Sequence, residues 1–139
     1  MPLKVSEMIK IIEADGWYLE RVTGSHRQFR PAVKPGTTTI AGKPSATFAA
    51  GHREEHPETG RHRVEAALSG YAVIVERGDD GGYGAWSPDL PGCVAAGDSY
   101  DECVRLMREA IPLHIDNLRT HGDPIPRPSA VGVLTIDAA

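Results

Sequence analysis

A chain of 139 residues with 40% hydrophobic and 6% aromatic side chains holds one modest domain or two small ones. No stretch reads as a signal peptide or a membrane span, so a cytoplasmic protein without membrane contact is expected. Two cysteines, Cys93 and Cys103, exclude a disulfide scaffold and match no zinc spacing; buried, reduced thiols are expected. Charge divides the chain: residues 1–69 carry ten Lys and Arg against eight acidic side chains, net +2, and residues 70–139 carry five Arg, no Lys and eleven acidic side chains, net −6. A basic surface suits a phosphate backbone, and an acidic one suits a protein that binds and masks such a surface; acidic residues also simply keep small domains in solution.

In chain order, Val5, Met8, Ile9 and Ile12 repeat at i, i+3, i+4 and i+7 and predict a helix, with Ser6 as N-cap, Glu7 in the first turn and Gly16 past the end. The run Trp17-Tyr18-Leu19-Glu20-Arg21-Val22 predicts a strand. Thr23-Gly24-Ser25 supplies a turn, and His26-Arg27-Gln28-Phe29-Arg30 predicts a second strand pairing with the first as a hairpin. Thr37-Thr38-Thr39-Ile40 predicts a third strand. His26 falls where the chain reverses. Neutral imidazole is the side chain best suited to accept the proton of an RNA 2′-hydroxyl near pH 7, after which the oxygen attacks the adjacent phosphate without a metal. An ordinary polar strand residue is the alternative reading of the same position.

The order helix, strand, strand, strand, with Gly24-Ser25-His26 opening the second strand and Ala41-Gly42-Lys43-Pro44 closing the third, resembles the HicA family of bacterial mRNA-interferase toxins. The resemblance implies a double-stranded-RNA-binding-like fold, helix, three strands, helix. It implies His26 as the catalytic position, with Ser25, Arg27 and Lys43 beside it as candidate RNA contacts. The closing helix of that pattern is missing: residues 46–63 show no 3.6-residue periodicity and contain Gly51, Pro57 and Gly60. Back-translated with suitable synonymous codons and read one nucleotide later, residues 52–62 yield Thr-Val-Lys-Ser-Ile-Leu-Lys-Gln-Ala-Gly-Ile, an amphipathic helix with a terminal glycine signal. This reading makes the front a truncated, frameshifted toxin remnant whose frame slipped near residues 46–51. Three strands with one helix leave apolar surface wet, so the front is expected to be unstable alone.

From residue 70 onward the pattern changes. Tyr71-Ala72-Val73-Ile74-Val75-Glu76, Tyr83-Gly84-Ala85-Trp86-Ser87 and Cys93-Val94-Ala95-Ala96 predict three strands. Ser99-Tyr100-Asp101-Glu102 is a capping box opening a helix with the stripe Tyr100, Cys103, Val104, Met107, Ile111, Ile115, Leu118. Pro112 predicts a kink in that helix, and Gly122 with Pro124 its end. Val131-Gly132-Val133-Leu134-Thr135-Ile136 predicts a closing strand. Gly82-Tyr83-Gly84-Ala85-Trp86-Ser87-Pro88-Asp89-Leu90-Pro91-Gly92-Cys93 followed by Ala95-Ala96-Gly97-Asp98-Ser99-Tyr100-Asp101-Glu102-Cys103 resembles the HicB antitoxin family over residues 70–139. That resemblance implies a strand-strand-strand-helix-strand, partly ribonuclease-H-like domain that binds a HicA-type toxin and blocks its active site.

The expected fold class is therefore α+β, divided into a toxin-like remnant (1–45), an irregular linker (46–69) and an antitoxin-like domain (70–139). Glu76, Asp79, Asp80, Asp89 and Asp98 are the carboxylates available to a two-metal nuclease, but most fall in turns where solvated acids are the ordinary reading. His52, His56 and His62 could bind a metal only within the irregular segment. No cofactor and no metal centre are expected, and no DNA-binding domain. The functional expectation is an antitoxin that neutralises a HicA-type toxin, assembled as a homo-oligomer, with RNA reached through the front half if it folds. The alternatives are a self-inhibited RNA endonuclease acting through His26 and a nonfunctional fusion product.

Overall fold

The computed structural model describes residues 3–33, 35–48 and 70–138. The first element is a two-residue strand, β1 (Leu3–Lys4), leading directly into helix α1 (Val5–Ala14). Strands β2 (Trp17–Thr23), β3 (His26–Pro31) and β4 (Thr38–Ala41) follow, and β5 (Thr47–Phe48) pairs antiparallel with β1. The second part adds β6 (Ile74–Arg77), β7 (Tyr83–Trp86), β8 (Cys93–Gly97) and helix α2 (Tyr100–Thr120). The protein is thus of mixed α+β character. The irregular segment lies outside the described residues from 49 onward, including His52, His56 and His62.

Local chemistry explains the front hairpin. Gly24 takes the turn with φ +60°, which glycine adopts without a Cβ penalty, and β2 and β3 then run antiparallel from Thr23↔His26 to Trp17↔Pro31, with a register shift between Leu19 and Arg21. Strand β4 adds antiparallel to β3, pairing His26 with Ala41 and Gln28 with Thr39.

The two parts do not form separate sheets. Strand β4 pairs in parallel with β8, Thr39 beside Cys93, Ile40 beside Val94 and Ala41 beside Ala95, producing one six-stranded sheet of order β2-β3-β4-β8-β7-β6. All five residues of β8 are buried, as expected for a parallel strand covered on both faces. Side-chain alternation sends Ile40, Val94 and Ala96 into a core with Val5, Phe29, Ala46 and Phe48, against which α1 packs through Met8, Ile9 and Ile12. It sends Ala41, Cys93 and Ala95 to the other face, into a core with Ala85, Leu90, Cys103, Leu106, Met107 and Ala110 beneath α2. Each core draws side chains from both parts of the chain. Burial of the two thiols is as anticipated; Cys93 and Cys103 are both free, and desolvation pushes them up to about 12 and about 11 respectively.

Three expectations need correction or refinement. Ser6 does not cap α1; the cap position is Lys4 in an extended conformation with no side-chain bond, and the first free amides donate instead to the returning chain, Val5 N to Ala46 O at 2.8 Å and Ser6 N to Pro44 O at 3.1 Å. The capping box of α2 is present in shifted form: Glu102 N donates to Ser99 Oγ at 3.1 Å, while the Glu102 carboxylate accepts from Asp98 N at 2.8 Å, one residue earlier than the standard box. Residues 131–136 form no strand. Asp89 fixes the approach to this segment by accepting from Ser129 N at 2.9 Å and Ala130 N at 3.2 Å, and beyond that clamp the chain runs beside residues 72–76 without ladder bonds, leaving Val131 79% exposed. Helix α2 continues unbroken through Pro112.

The sheet's midline is set by one glycine. Gly42, at the end of β4, has φ +123°, and a Cβ there would lie 2.3 Å from the Ala96 carbonyl oxygen. Gly42→Val is expected to cost about 1–3 kcal/mol through strain at this backbone conformation, and to accelerate amide exchange at residues 39–41 and 93–95 ahead of the β6–β7 pair. Residue-resolved hydrogen exchange with urea unfolding is the check.

Candidate functional site: a histidine beneath the second helix

Alternation along β3 decides which side chains meet α2. His26, Gln28 and Arg30 face the helix, whereas Phe29 faces the α1 core. His26 is only 4% exposed: Nε2 lies 3.1 Å from the Leu106 carbonyl oxygen and 3.6 Å from a Glu109 carboxylate oxygen, and Nδ1 lies 3.3 Å from the Thr23 carbonyl oxygen. About two turns beyond Leu106 along the helix, Gln28 donates through Nε2 to the Leu113 carbonyl at 2.8 Å. At the far end Arg30 is bonded to Asp123 at 2.7 Å, and this guanidinium holds the Asp123 carboxyl below its usual range.

The candidate RNA contacts sit at the same end of the hairpin but not on the same face as His26. Arg27, paired with Ile40 on the α1 side, donates to the Gly42 carbonyl at 2.9 Å and the Ser25 carbonyl at 3.4 Å; the Ser25 carbonyl also accepts from Gly42 N. Lys43 pairs with Asp98 at 2.6 Å, a bond that raises the ammonium's proton affinity. Ser25, Arg27 and Lys43 thus gather around the β3–β4 end while His26 points to the opposite side, under α2.

Charge complementarity runs along the junction. Besides Lys43–Asp98 and Arg30–Asp123, Arg21 approaches Asp116 at 3.9 Å, and Glu20 accepts from Asn117 Nδ2 at 2.9 Å and meets His121 Nε2 at 2.7 Å. Burial pushes the Glu20 carboxyl up, but the bonds from Asn117 and His121 outweigh it and hold the group below its usual range. Three front-half cations meet back-half carboxylates here, as the divided charge suggests, while Glu20 and His121 pair in the opposite sense. Three of the five carboxylates considered for metal chemistry have structural partners: Asp80 holds Thr47 Oγ1 and Gly82 N, Asp89 holds Ser129, and Asp98 holds Lys43.

Sequence reasoning missed the side of α2 that does this work. Leu106, Ala110, His114 and Asn117 are all buried, a stripe distinct from the apolar one and half polar in composition. The signal available was a spacing of four, four and three residues, obscured because a histidine and an asparagine occupy it. His114, 1% exposed, pairs through Nδ1 with the Thr39 hydroxyl at 2.8 Å and also hydrogen-bonds the Pro91 backbone, so it ties β4 to the loop before β8. Desolvation lowers it to about 4, partly offset by the Pro91 contact.

A toxin-like front joined to an acidic, helix-capped back defines a protein of the toxin–antitoxin class, and comparison with known proteins gives the same result. The model described as "HicA toxin of bacterial toxin-antitoxin" matches residues 5–55, and that described as "HicB_like antitoxin of bacterial toxin-antitoxin system" matches residues 71–138. Among curated relatives, UPF0150 protein ssr1765 of Synechocystis sp. is 40% identical over 57 residues, 41% of this chain and 72% of that protein. UPF0150 protein Ta0767 of Thermoplasma acidophilum is 38% identical over 60 residues, 43% of this chain and 87% of that protein. No solved structure matches significantly. The chain belongs to the HicB-like family and is a fusion in which a HicA toxin domain precedes the HicB-like antitoxin domain. Among the described residues no helix is long and apolar enough to cross a membrane.

His114 makes the junction sensitive to acid. Its folded-state value lies below the ordinary 6.5, so between these values the unfolded chain binds more protons and stability rises with pH. The contribution is fully present above pH 6.5 and is lost as the pH falls toward about 4. Urea midpoints are expected to drop between pH 7.5 and pH 4.5 in the wild type and to drop less in His114→Gln.

Proposed function

We propose that this chain is a self-restrained toxin–antitoxin module, in which the HicB-like half performs the antitoxin's task on the HicA-like half of the same polypeptide. The observation that carries this reading is the contact of His26 Nε2 with the Leu106 carbonyl, a bond spanning 80 residues. In RNA self-cleavage the 2′-hydroxyl must surrender its proton to a base as it attacks the neighbouring phosphate. His26 has the chemistry for that role, and a phosphodiester needs to approach within hydrogen-bond distance of its ring. Helix α2 occupies that approach with a backbone carbonyl and the Glu109 carboxylate, which also repels phosphate.

The wider junction supports the same reading. An RNA backbone is attracted by cations, and Lys43, Arg30 and Arg21 are each met by an aspartate from the second half. The element order α1-β2-β3-β4 accords with an incomplete double-stranded-RNA-binding-like toxin, and β6-β7-β8-α2 accords with a partial ribonuclease-H-like antitoxin. The division into a remnant at 1–45, a linker at 46–69 and an antitoxin domain at 70–139 describes the chain's descent; in the folded protein both parts contribute to both cores. An intact HicA-type toxin acting as partner in trans must displace the front half from the surface it covers.

Ribonuclease assays on a mixed mRNA substrate test the proposal. The wild-type chain is expected to be silent, while a combined Gly42→Val, Asp98→Asn, Asp123→Asn variant, which weakens the junction at the sheet and at two ion pairs, is expected to cleave RNA at least tenfold faster. Adding His26→Ala should abolish that gain. Cleavage by the wild type equal to that of the opened variant would overturn restraint in cis. An opened, folded variant that remains silent would overturn the nuclease assignment of His26.

A further inference from the structure

Among the described residues the His26 ring meets three acceptors and no donor. The Leu106 carbonyl oxygen is 3.1 Å from Nε2, the Glu109 carboxylate is 3.6 Å from the same nitrogen, and the Thr23 carbonyl oxygen is 3.3 Å from Nδ1. Carbonyl and carboxylate oxygens only accept hydrogen bonds, so a ring nitrogen facing them is satisfied only when it carries a proton. The shortest of the three contacts, and both contacts made by α2, converge on Nε2. A bare Nε2 lone pair there would face the Leu106 oxygen at hydrogen-bond distance in a site that is nearly closed to water, an arrangement that is repulsive and costly.

We infer that α2 restrains His26 through its tautomer as well as by covering it: the Leu106 carbonyl keeps a proton on Nε2, the nitrogen that points from the hairpin into the junction. This deepens the reading of His26 as a base, and rests on it for its functional meaning. A ring with its proton on Nε2 has no lone pair directed at the approaching 2′-hydroxyl, so a loosening of α2 that admitted substrate without releasing Leu106 would still leave the base unable to accept. Glu109 reinforces the same choice electrostatically and is itself held by Arg105 at 3.6 Å. Because the restraining group is a backbone carbonyl, side-chain substitution at position 106 does not remove it. Glu109 and Leu106 are positioning residues in this scheme, acting on His26 rather than on RNA.

Long-range proton–nitrogen NMR spectra of the uniformly 15N-labelled full-length chain at pH 8 test the inference, with the His26 ring assigned by its disappearance in His26→Gln. The expected result is a proton on Nε2 that exchanges with water about tenfold or more slowly than that of a free imidazole, consistent with a protected site. Glu109→Ala is expected to retain this pattern, since the carbonyl remains. A ring protonated on Nδ1 with a bare Nε2, or a rapidly exchanging mixture like that of free histidine, would overturn the inference, as would a shift of the proton to Nδ1 in Glu109→Ala. No cleavage is read in this experiment, so its failure and the failure of the nuclease assignment are distinguishable.

Discussion

The parallel pairing of β4 with β8 is the constraint on which the rest depends. Only Thr39, Ile40 and Ala41 meet Cys93, Val94 and Ala95, yet this short ladder lies at the middle of the sheet and aligns both cores at once. Ile40 and Val94 share the α1 side, and Ala41 and Ala95 share the α2 side. Small side chains along β8 let α2 approach closely enough for its carbonyls to reach β3. A backbone ladder also fixes register, because a one-residue slip would exchange the two faces and turn His26 away from the helix.

The two faces are stabilised by different physics. Beneath α1 the contacts are apolar and tolerant of small rearrangement, with Phe29, Ile40, Phe48 and Val94 closing around Val5. Beneath α2 an apolar patch is continued by buried Gln28, Thr39, His114 and Asn117, whose burial is favourable only while each keeps its partners. Gln28 and Asn117 each satisfy their amide donor, while Gln28 Oε1 and Asn117 Oδ1 find no partner among the described residues. The α2 junction is therefore specific in geometry while leaving two amide oxygens without a partner among the described residues. An interface of this composition favours one arrangement strongly without making separation prohibitively expensive.

How much was legible in the sequence follows from range. The helix at Val5, the Gly24 turn, the hairpin, the capping serine and the three strands after residue 70 rest on local periodicity and turn chemistry, and all appear near their expected positions. His26 stood out because a turn placed it at a strand start; what covers it did not, since Leu106 contributes a carbonyl that every residue possesses. The β4–β8 pairing joins segments on either side of the linker, and neither strand carries a mark of its partner. The run at 131–136 has strand-like composition, yet composition states what could pair and not what does, and Asp89 fixes where that segment begins its path. Ser6 has the chemistry of a cap, but Pro44 and Ala46 reach the helix amides first.

The shared α1 core has a temporal consequence. His26 leaves the ribosome well before α2 is synthesised, and at about 5–20 residues per second the delay from the hairpin to the helix amounts to several seconds. During that interval the nascent front half lacks Val94 and Ala96, which complete the packing around Ile40 and Phe29. The part of the chain after residue 70 thus supplies both the helix over His26 and part of the interior against which the hairpin is ordered, so the protein gains a settled hairpin and its cover in the same folding event.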